Sequence, residues 1–201
     1  MRDYGSAVTT HLTARGGLHV EHLVWITAAN RGTSAPETVG ISTHDDTYTY
    51  TVDGGSRVYI GGGGALEIEP IRATIGVAVQ SHEITLSPLA PEVEEVLLTH
   101  DPRLAPIEVH RVFFDPDTGD QIGDPFRILL GWINGVSIET PPIGGEASAR
   151  LDIVTAARSL TIPLYLLRSN EAQLAVHSGD VFRQYSVIAD KVSVYWGRKR
   201  K

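Results

Sequence analysis

Histidine and acidic side chains that could bind a metal ion occur close together near the start of the chain. His19-Val20-Glu21-His22 offers three possible ligands within four residues. On a strand, successive side chains point to opposite faces, so His19 and Glu21 share one face and His22 lies on the other. Because a structural or catalytic metal needs ligands that converge, the sequence predicts no metal site at these residues.

The densest polar cluster is Thr43-His44-Asp45-Asp46. A histidine beside two carboxylates can act as a general base or as a cation ligand. The same residues fit a hydrogen-bonded turn that leads into a strand at Thr47, and aspartate is common in such turns. We favour the turn and keep a hydrolase centred on His44, Asp45 and Asp46 as a remote alternative.

Two further segments have the composition of ligand-binding loops. Asp115-Pro116-Asp117-Thr118-Gly119-Asp120 begins like a calcium loop but has no glutamate at the twelfth position, and it predicts a hairpin turn. Gly61–Gly64 is not followed by the lysine of a phosphate-binding loop and predicts a flexible connection. The sequence contains neither a hydrolase motif with a serine nucleophile nor the His-Glu-x-x-His motif of zinc proteases. We therefore expect no enzymatic activity, no cofactor and no metal.

Composition excludes several classes of protein. The 201 residues contain no cysteine, which excludes disulfides, thiolate-bound metals and a cysteine nucleophile. Net charge is −7, and four of the 17 basic residues form the run Arg198-Lys199-Arg200-Lys201, so the remainder carries 13 basic and 24 acidic residues, a net charge of −11. A duplex-binding surface needs a basic stripe instead. No apolar run is long enough to span a bilayer, so we expect no membrane insertion by this chain.

Hydrophobic periodicity predicts a short helix followed by many strands. Tyr4, Val8 and Leu12 form one stripe of a helix over 2–15, which Gly16-Gly17 ends. Alternation from Leu18 to Ile26 predicts a strand, and 29–36 is interpreted as a loop. Thr47–Val52 and Arg57–Ile60 predict a hairpin around Asp53-Gly54-Gly55. Further predicted strands are Ala73–Val79, His82–Leu86, Ile107–Phe114, Phe126–Ile133, Val136–Glu139 and Ala147–Val154, with a turn at Asn134-Gly135 between two of them.

These elements predict a mainly β fold, an antiparallel β-barrel or sandwich with two short flanking helices. The second helix is predicted from Pro88 to about Leu98, and Leu174 with Val176 fits a further short strand. The predicted organisation is an N-terminal helical arm over 1–17, a β-barrel domain over 18–160 and a C-terminal interaction tail over 161–201.

The stretch from Gly40 to Leu86 resembles a known family. It contains Gly40-Ile41-Ser42-Thr43-His44-Asp45-Asp46, a Thr/Tyr strand, Val52-Asp53-Gly54-Gly55, Thr74–Val79 and Glu83-Ile84-Thr85-Leu86. This order is similar to the tail hub (baseplate hub) proteins of bacterial gene transfer agents and long-tailed phages. The Met1–Tyr4 start, Ala105–Arg111 and Leu130–Ile133 fit the same pattern, so the resemblance covers roughly residues 1 to 160.

The resemblance implies a structural virion protein with a tail-tube-like β-barrel. It implies assembly into a homotrimeric or hexameric ring around the DNA exit channel, between the tail tube and distal tip or fibre proteins. DNA would pass without sequence-specific binding, and the protein would be made in the host cytoplasm and located in the phage tail tip. Family members often continue into a cysteine-bearing part that this sequence lacks, which implies a reduced hub or a neighbouring ring protein. The expected assembly contacts are Tyr4, Val8, Leu12, Tyr195, Trp196, Arg198, Lys199, Arg200 and Lys201.

A stand-alone binding module is the alternative. In a carbohydrate- or receptor-binding β-sandwich, Trp25, Tyr48, Tyr50 and Tyr59 would form an exposed aromatic platform. Aromatic residues on neighbouring strands more commonly stabilise the sheet itself, so we rank this alternative second.

Overall fold

A computed structural model of the chain describes residues 4–62, 66–72, 78–87, 99–139, 147–162, 169–186, 188, 191 and 197. The predicted helix over 88–98 lies outside these residues, as do 73–77 of the predicted strand Ala73–Val79. Of the expected assembly contacts, Tyr195, Trp196 and Arg198–Lys201 also lie outside them.

The structure is mainly β, as predicted, with a ten-stranded sheet and few helices. The strands pair in the order β3-β4-β2-β1-β8-β9-β10-β6-β5, and β7 pairs with β1 beside this path. The described elements are α1 (Ser6–Ala14), β1 (His19–Asn30), β2 (Pro36–Ser42), β3 (Tyr48–Val52), β4 (Gly55–Gly61), β5 (Leu66–Ile68), β6 (Ser81–Leu86), β7 (His100–Asp101), β8 (Pro106–Phe114), β9 (Phe126–Glu139), β10 (Ser148–Thr155), a 3-10 helix (Ala156–Thr161) and α2 (Asn170–Val176).

The sheet is mixed and mainly antiparallel, and its one parallel pair among the described strands departs from the predicted antiparallel arrangement. Ile41 of β2 pairs with Ile60 of β4 in a parallel register, while the other strand pairs are antiparallel. The chain leaves β2, forms the β3–β4 hairpin, and returns beside β2 in the same direction. Among the described strands, the hydrogen-bonded order therefore has two ends, β3 and β5.

Alternation along β1 and β8 divides the sheet into two faces. One face, here called the core face, carries Val24, Ile26, Ile107 and Val109, which are at most 1% exposed and belong to the main apolar core. The opposite face, here called the hairpin face, carries Leu23 and Val112, which pack with the β3–β4 hairpin. Because the pleat has a period of two, register alone decides which residues meet the hairpin. Trp25 pairs with Glu108, Leu23 with His110 and Glu21 with Val112.

Asn134-Gly135 forms a β-bulge and not the predicted turn. Strand β9 continues through both residues, and the pairing with β10 moves from Gly135–Asp152 to Ile133–Ile153, which leaves Asn134 as one extra residue. Asn-Gly favours tight turns, but here the continuous partner strand β10 keeps the chain extended, and the extra residue is accommodated locally.

The loop predicted over 29–36 is shorter than expected. Strand β1 continues to Asn30 and β2 begins at Pro36, so a strand that the prediction missed lies directly after the turn. The Asn30 side-chain oxygen accepts hydrogen bonds from the backbone N–H groups of Gly32 at 2.8 Å and Thr33 at 3.2 Å. This asparagine-centred turn reverses the chain within a few residues.

The chain divides into two compact units, Met1–Ser159 and Leu160–Lys201. The first includes α1, whose Val8 is 2% exposed. The second contains α2, which replaces the predicted strand at Leu174 and Val176. Ser169 caps this helix by accepting a hydrogen bond from the Ala172 N–H at 3.1 Å. No described helix is both long and apolar enough to cross a bilayer.

Candidate functional site

The β3–β4 hairpin places an acidic side chain at its turn. Asp53 and Gly54 have φ angles of 50° and 78°, as a tight hairpin turn requires, and the predicted hairpin is confirmed. Tyr50, Val52 and Tyr59 point from the hairpin onto the sheet and are buried with residues of the hairpin face. This packing holds the Asp53 turn close to strands β8 and β9.

Five charged or ionisable side chains meet beneath the turn, and we call them the Asp53 cluster. Arg57 Nη1 donates to Glu108 Oε2 at 2.7 Å, and Arg57 Nη2 lies 3.9 Å from Asp53 Oδ2. Arg127 Nη1 lies 3.8 Å from Asp53 Oδ2 and 3.9 Å from Glu108 Oε1. His110 Nε2 lies 3.7 Å from Glu108 Oε2. Two guanidinium groups thus balance two carboxylates beside an imidazole.

His110 is the most buried member of the Asp53 cluster. Its side chain is 1% exposed, and neither ring nitrogen has a hydrogen-bond partner among the described residues. Burial lowers the pKa of His110 to about 4, against the opposing influence of Glu108, so the imidazole is neutral near pH 7. Buried polar atoms normally have a partner, and among the described residues His110 alone has two buried side-chain polar atoms without one.

Arg57 is held from two sides. Its guanidinium lies 5.1 Å from the centre of the Trp25 ring, a cation–π geometry, while Glu108 accepts its hydrogen bond. Burial acts to lower the pKa of Arg57, but the hydrogen bond and charge of Glu108 outweigh it and raise the pKa. Arg57 therefore stays charged and connects the hairpin to β8.

The Thr43–Asp46 segment forms a bend between β2 and β3, consistent with the turn interpretation. The His44 ring contacts aromatic neighbours, with ring centres 4.7 Å from Tyr48 and 5.1 Å from Phe114. Asp45 and Asp46 are exposed, and neither forms a hydrogen bond with His44 within the described part of the chain. The contacts that the remote hydrolase alternative requires between His44 and the two carboxylates are therefore not present among the described residues. An open cleft of about 420 Å³ lies here, lined by His19, His44, Tyr48, Phe114, Asp115, Pro116 and Gly119.

His19 and His22 lie on opposite faces, as the sequence predicted. His19 Nε2 is 2.7 Å from Glu21 Oε1, and the Thr43 hydroxyl donates to Oε2 of the same carboxylate. On the core face, Arg111 Nε donates to His22 Nε2 at 3.4 Å. Burial, and then the charge of Arg111, lower the pKa of His22. These three residues serve two separate local contacts and do not converge on one ligand position.

The Asp115–Asp120 segment is the predicted hairpin turn. Gly119 N–H donates to the Asp115 carbonyl at 2.8 Å, and Asp117 N–H donates to the Asp115 carboxylate at 2.9 Å. Gly119 adopts a φ of 75°, which suits glycine. The carboxylate of Asp115 is therefore used to shape the turn.

The predicted aromatic platform is not formed. Tyr50 is 5% exposed and Tyr59 fully buried, because both rings face the sheet beneath the hairpin. Trp25 packs against Tyr59 at a ring-centre distance of 5.4 Å, and Arg57 lies over its ring. Tyr48 is 44% exposed and Trp25 is partly buried. The four rings stabilise the hairpin and offer no shared surface to a ligand.

The expected assembly contacts at Tyr4 and in α1 face different surroundings. The Tyr4 ring packs 4.5 Å from Phe126 and 5.9 Å from Phe113 between ring centres, and Val8 is buried. Leu12 is 40% exposed. Tyr4 and Val8 thus contact the chain's own first unit, and Leu12 remains available to another molecule.

The second unit carries a group of exposed apolar residues that the prediction missed. None of its described residues is buried. Phe182 is 85% exposed and Tyr185 67% exposed. Phe182 and Tyr185 lie three residues apart after Gly179-Asp180, and this apolar spacing could have indicated the group in the sequence. We call the following residues the exposed apolar set: Leu160, Ile162, Leu174, Val176, Val181, Phe182, Tyr185 and Ile188.

Comparison with known proteins does not identify a family. No protein-family model matches the chain, and a search of curated proteins found no significant match.

Proposed function

We propose that this chain is a structural component of a phage tail tip, a hub or baseplate ring protein that connects the tail tube to distal tip proteins. The single observation that carries the proposal is the exposed apolar set of the second unit, where no described residue is buried. The role is assembly and not turnover of a substrate.

The exposed apolar set calls for a partner surface. Isolated exposed apolar side chains are normal, but eight large ones between Leu160 and Ile188 form a local concentration. A segment of this size rarely builds a sufficient core alone, since units near 40 residues usually need disulfides, metals or association. The chain has no cysteine and so no disulfide, and among the other means the exposed apolar set favours association with another surface.

The fold is compatible with a tail-tube-like barrel. Ile41 of β2 and Leu66 of β5 belong to the same apolar core, although β2 and β5 lie far apart in the strand order. A Cβ placed on Gly62 would lie 3.1 Å from Ile41 Cγ2 and 3.5 Å from Leu66 Cβ. These short separations support a sheet that curls around its core, as the resemblance of Gly40–Leu86 to tail hub proteins implies.

The proposed ring contains three or six copies, and each copy contacts the next through different surfaces. Such heterologous contacts close into a ring when the rotation between neighbours is a whole fraction of a turn. The net charge of −11 outside the terminal basic run would repel DNA that passes through the channel. We place the protein in the virion, between the tube-end protein and a distal tip or fibre protein.

Imaging of intact particles at side-chain resolution tests the proposal. Particles from cells that encode the chain should contain it as a ring at the tail tip, with the exposed apolar set buried against neighbouring chains. Mass spectrometry of the purified particles supplies an independent readout. Absence of the chain from the particles, or a ring in which Phe182 and Tyr185 remain in solvent, would contradict the proposal.

A further inference from the structure

We propose that Asp53, Glu108 and His110 form a binding site for a divalent transition metal, Zn²⁺ by the chemistry of its donors, which ties the hairpin turn to strand β8. The three residues offer two carboxylates and one imidazole, and their ligand atoms all lie within 4.8 Å of one another. The site is independent of the exposed apolar set, which belongs to the other unit.

The buried imidazole of His110 is the feature that points to a ligand. Burying a polar atom without a hydrogen bond is costly, and both ring nitrogens of His110 lack a partner among the described residues. The Nε2 atom lies 3.7 Å from Glu108 Oε2, so it faces the carboxylates. A metal ion bound by Nε2 and the two carboxylates would satisfy this nitrogen.

The donor set selects the class of metal. Mg²⁺ and Ca²⁺ prefer oxygen donors alone, whereas an imidazole with carboxylates suits Zn²⁺ and its first-row neighbours. Donor atoms about 2 Å from a tetrahedral zinc ion lie about 3.3 Å apart, so the donor atoms must approach by up to about 1.5 Å. Asp53 can supply this movement because its side chain is 67% exposed. The same exposure lets an ion reach the site from solvent.

The two arginines compete with the metal for the same carboxylates. Arg57 donates to Glu108 Oε2 at 2.7 Å, and this oxygen is also the one that lies 3.7 Å from His110 Nε2, so an ion bound here competes with that hydrogen bond. Arg127 lies at 3.8 and 3.9 Å from Asp53 and Glu108, and its side chain is 46% exposed, so it can leave at small cost. Metal binding therefore displaces Arg127, and removal of Arg127 should strengthen binding.

Calorimetry with untagged full-length protein tests this site, with ZnCl₂ as the probe. We expect one Zn²⁺ per chain and a higher melting temperature with Zn²⁺ but not with Mg²⁺. Asp53→Asn and His110→Ala should each weaken Zn²⁺ binding at least tenfold, and Arg127→Ala should strengthen it severalfold. Visible absorption of Co²⁺ bound in place of Zn²⁺ reports directly on coordination.

Control variants separate this site from others. His82→Ala removes another histidine buried in the first unit and should leave Zn²⁺ binding unchanged. Asp53→Asn changes an exposed turn residue that asparagine replaces without strain, so it decides the question even if His110→Ala does not fold. No Zn²⁺ binding, or binding that Asp53→Asn leaves unchanged, would overturn the proposal, and loss of binding in His19→Ala or His44→Ala would then locate the ion elsewhere.

Discussion

Replacement of Phe182 by alanine should weaken assembly far more than it changes the stability of the chain. A phenylalanine buries roughly 150–250 Å² when it is fully covered, and 85% of Phe182 is available to a partner. At about 25 cal/mol per Å², full covering stabilises an interface by up to about 3–5 kcal/mol. Incomplete burial and ordering costs reduce this value, so we expect a loss of about 2–4 kcal/mol, or roughly 30- to 1,000-fold in affinity.

The free chain should tolerate Phe182→Ala. Exposed substitutions usually change the free energy of unfolding by no more than about 0.5 kcal/mol, so the melting temperature should hardly move. The assay is complementation of a phage that lacks the chain, with incorporation into particles quantified by mass spectrometry. Leu104→Ala, at a residue 62% exposed in the first unit, is the matched control. Normal incorporation of Phe182→Ala, or an equal defect in Leu104→Ala, would refute the assignment of assembly to the exposed apolar set.

Three further changes test the first unit. Glu108→Gln leaves the partly buried guanidinium of Arg57 without its anion and should destabilise the chain by about 1–3 kcal/mol in chemical denaturation; an unchanged midpoint would contradict the role of this ion pair. Gly40→Ala should cost about 1–3 kcal/mol, since its Cβ would clash with the backbone oxygen of Val58, whereas Gly16→Ala meets no atom within 4 Å and should be neutral in the same thermal melts. Burial lowers the pKa of His22 in the folded state, so below the unfolded-state pKa of about 6.5 the unfolded chain binds more protons, and the free energy of unfolding should decrease as the pH is lowered. His22→Gln should make this dependence on pH weaker, and an unchanged dependence would refute the role of His22.

The sequence correctly predicted those elements whose conformation is determined by their own residues and the adjacent ones. Asp53-Gly54 closes its hairpin as expected, because the left-handed turn conformation is a property of these residues themselves. Asn134-Gly135 has similar turn chemistry but forms a bulge, because the outcome depends on pairing with β10. At Leu174–Val176 the apolar alternation was misleading, and the capping Ser169 with Glu171 in the first turn was the better signal.

The candidate metal site could not be predicted from spacing. Asp53 and Glu108 are separated by 55 positions in the sequence, and only the fold of the hairpin onto β8 brings them to His110. The alternation of β8 correctly predicts that Glu108 and His110 share a face. It does not reveal that a turn from another pair of strands covers that face, so tertiary packing was needed to find the site.

The length and sequence of one terminal strand, β5, restrict how copies of the chain could join at that edge. At one end of the strand order, β5 contains only three residues, Leu66–Ile68, and glutamates at 67 and 69 accompany a proline at 70. Short, charged, proline-flanked edges discourage the addition of further strands. In the proposed ring, neighbouring copies would therefore meet at this edge through side-chain contacts and not by adding a backbone-paired strand.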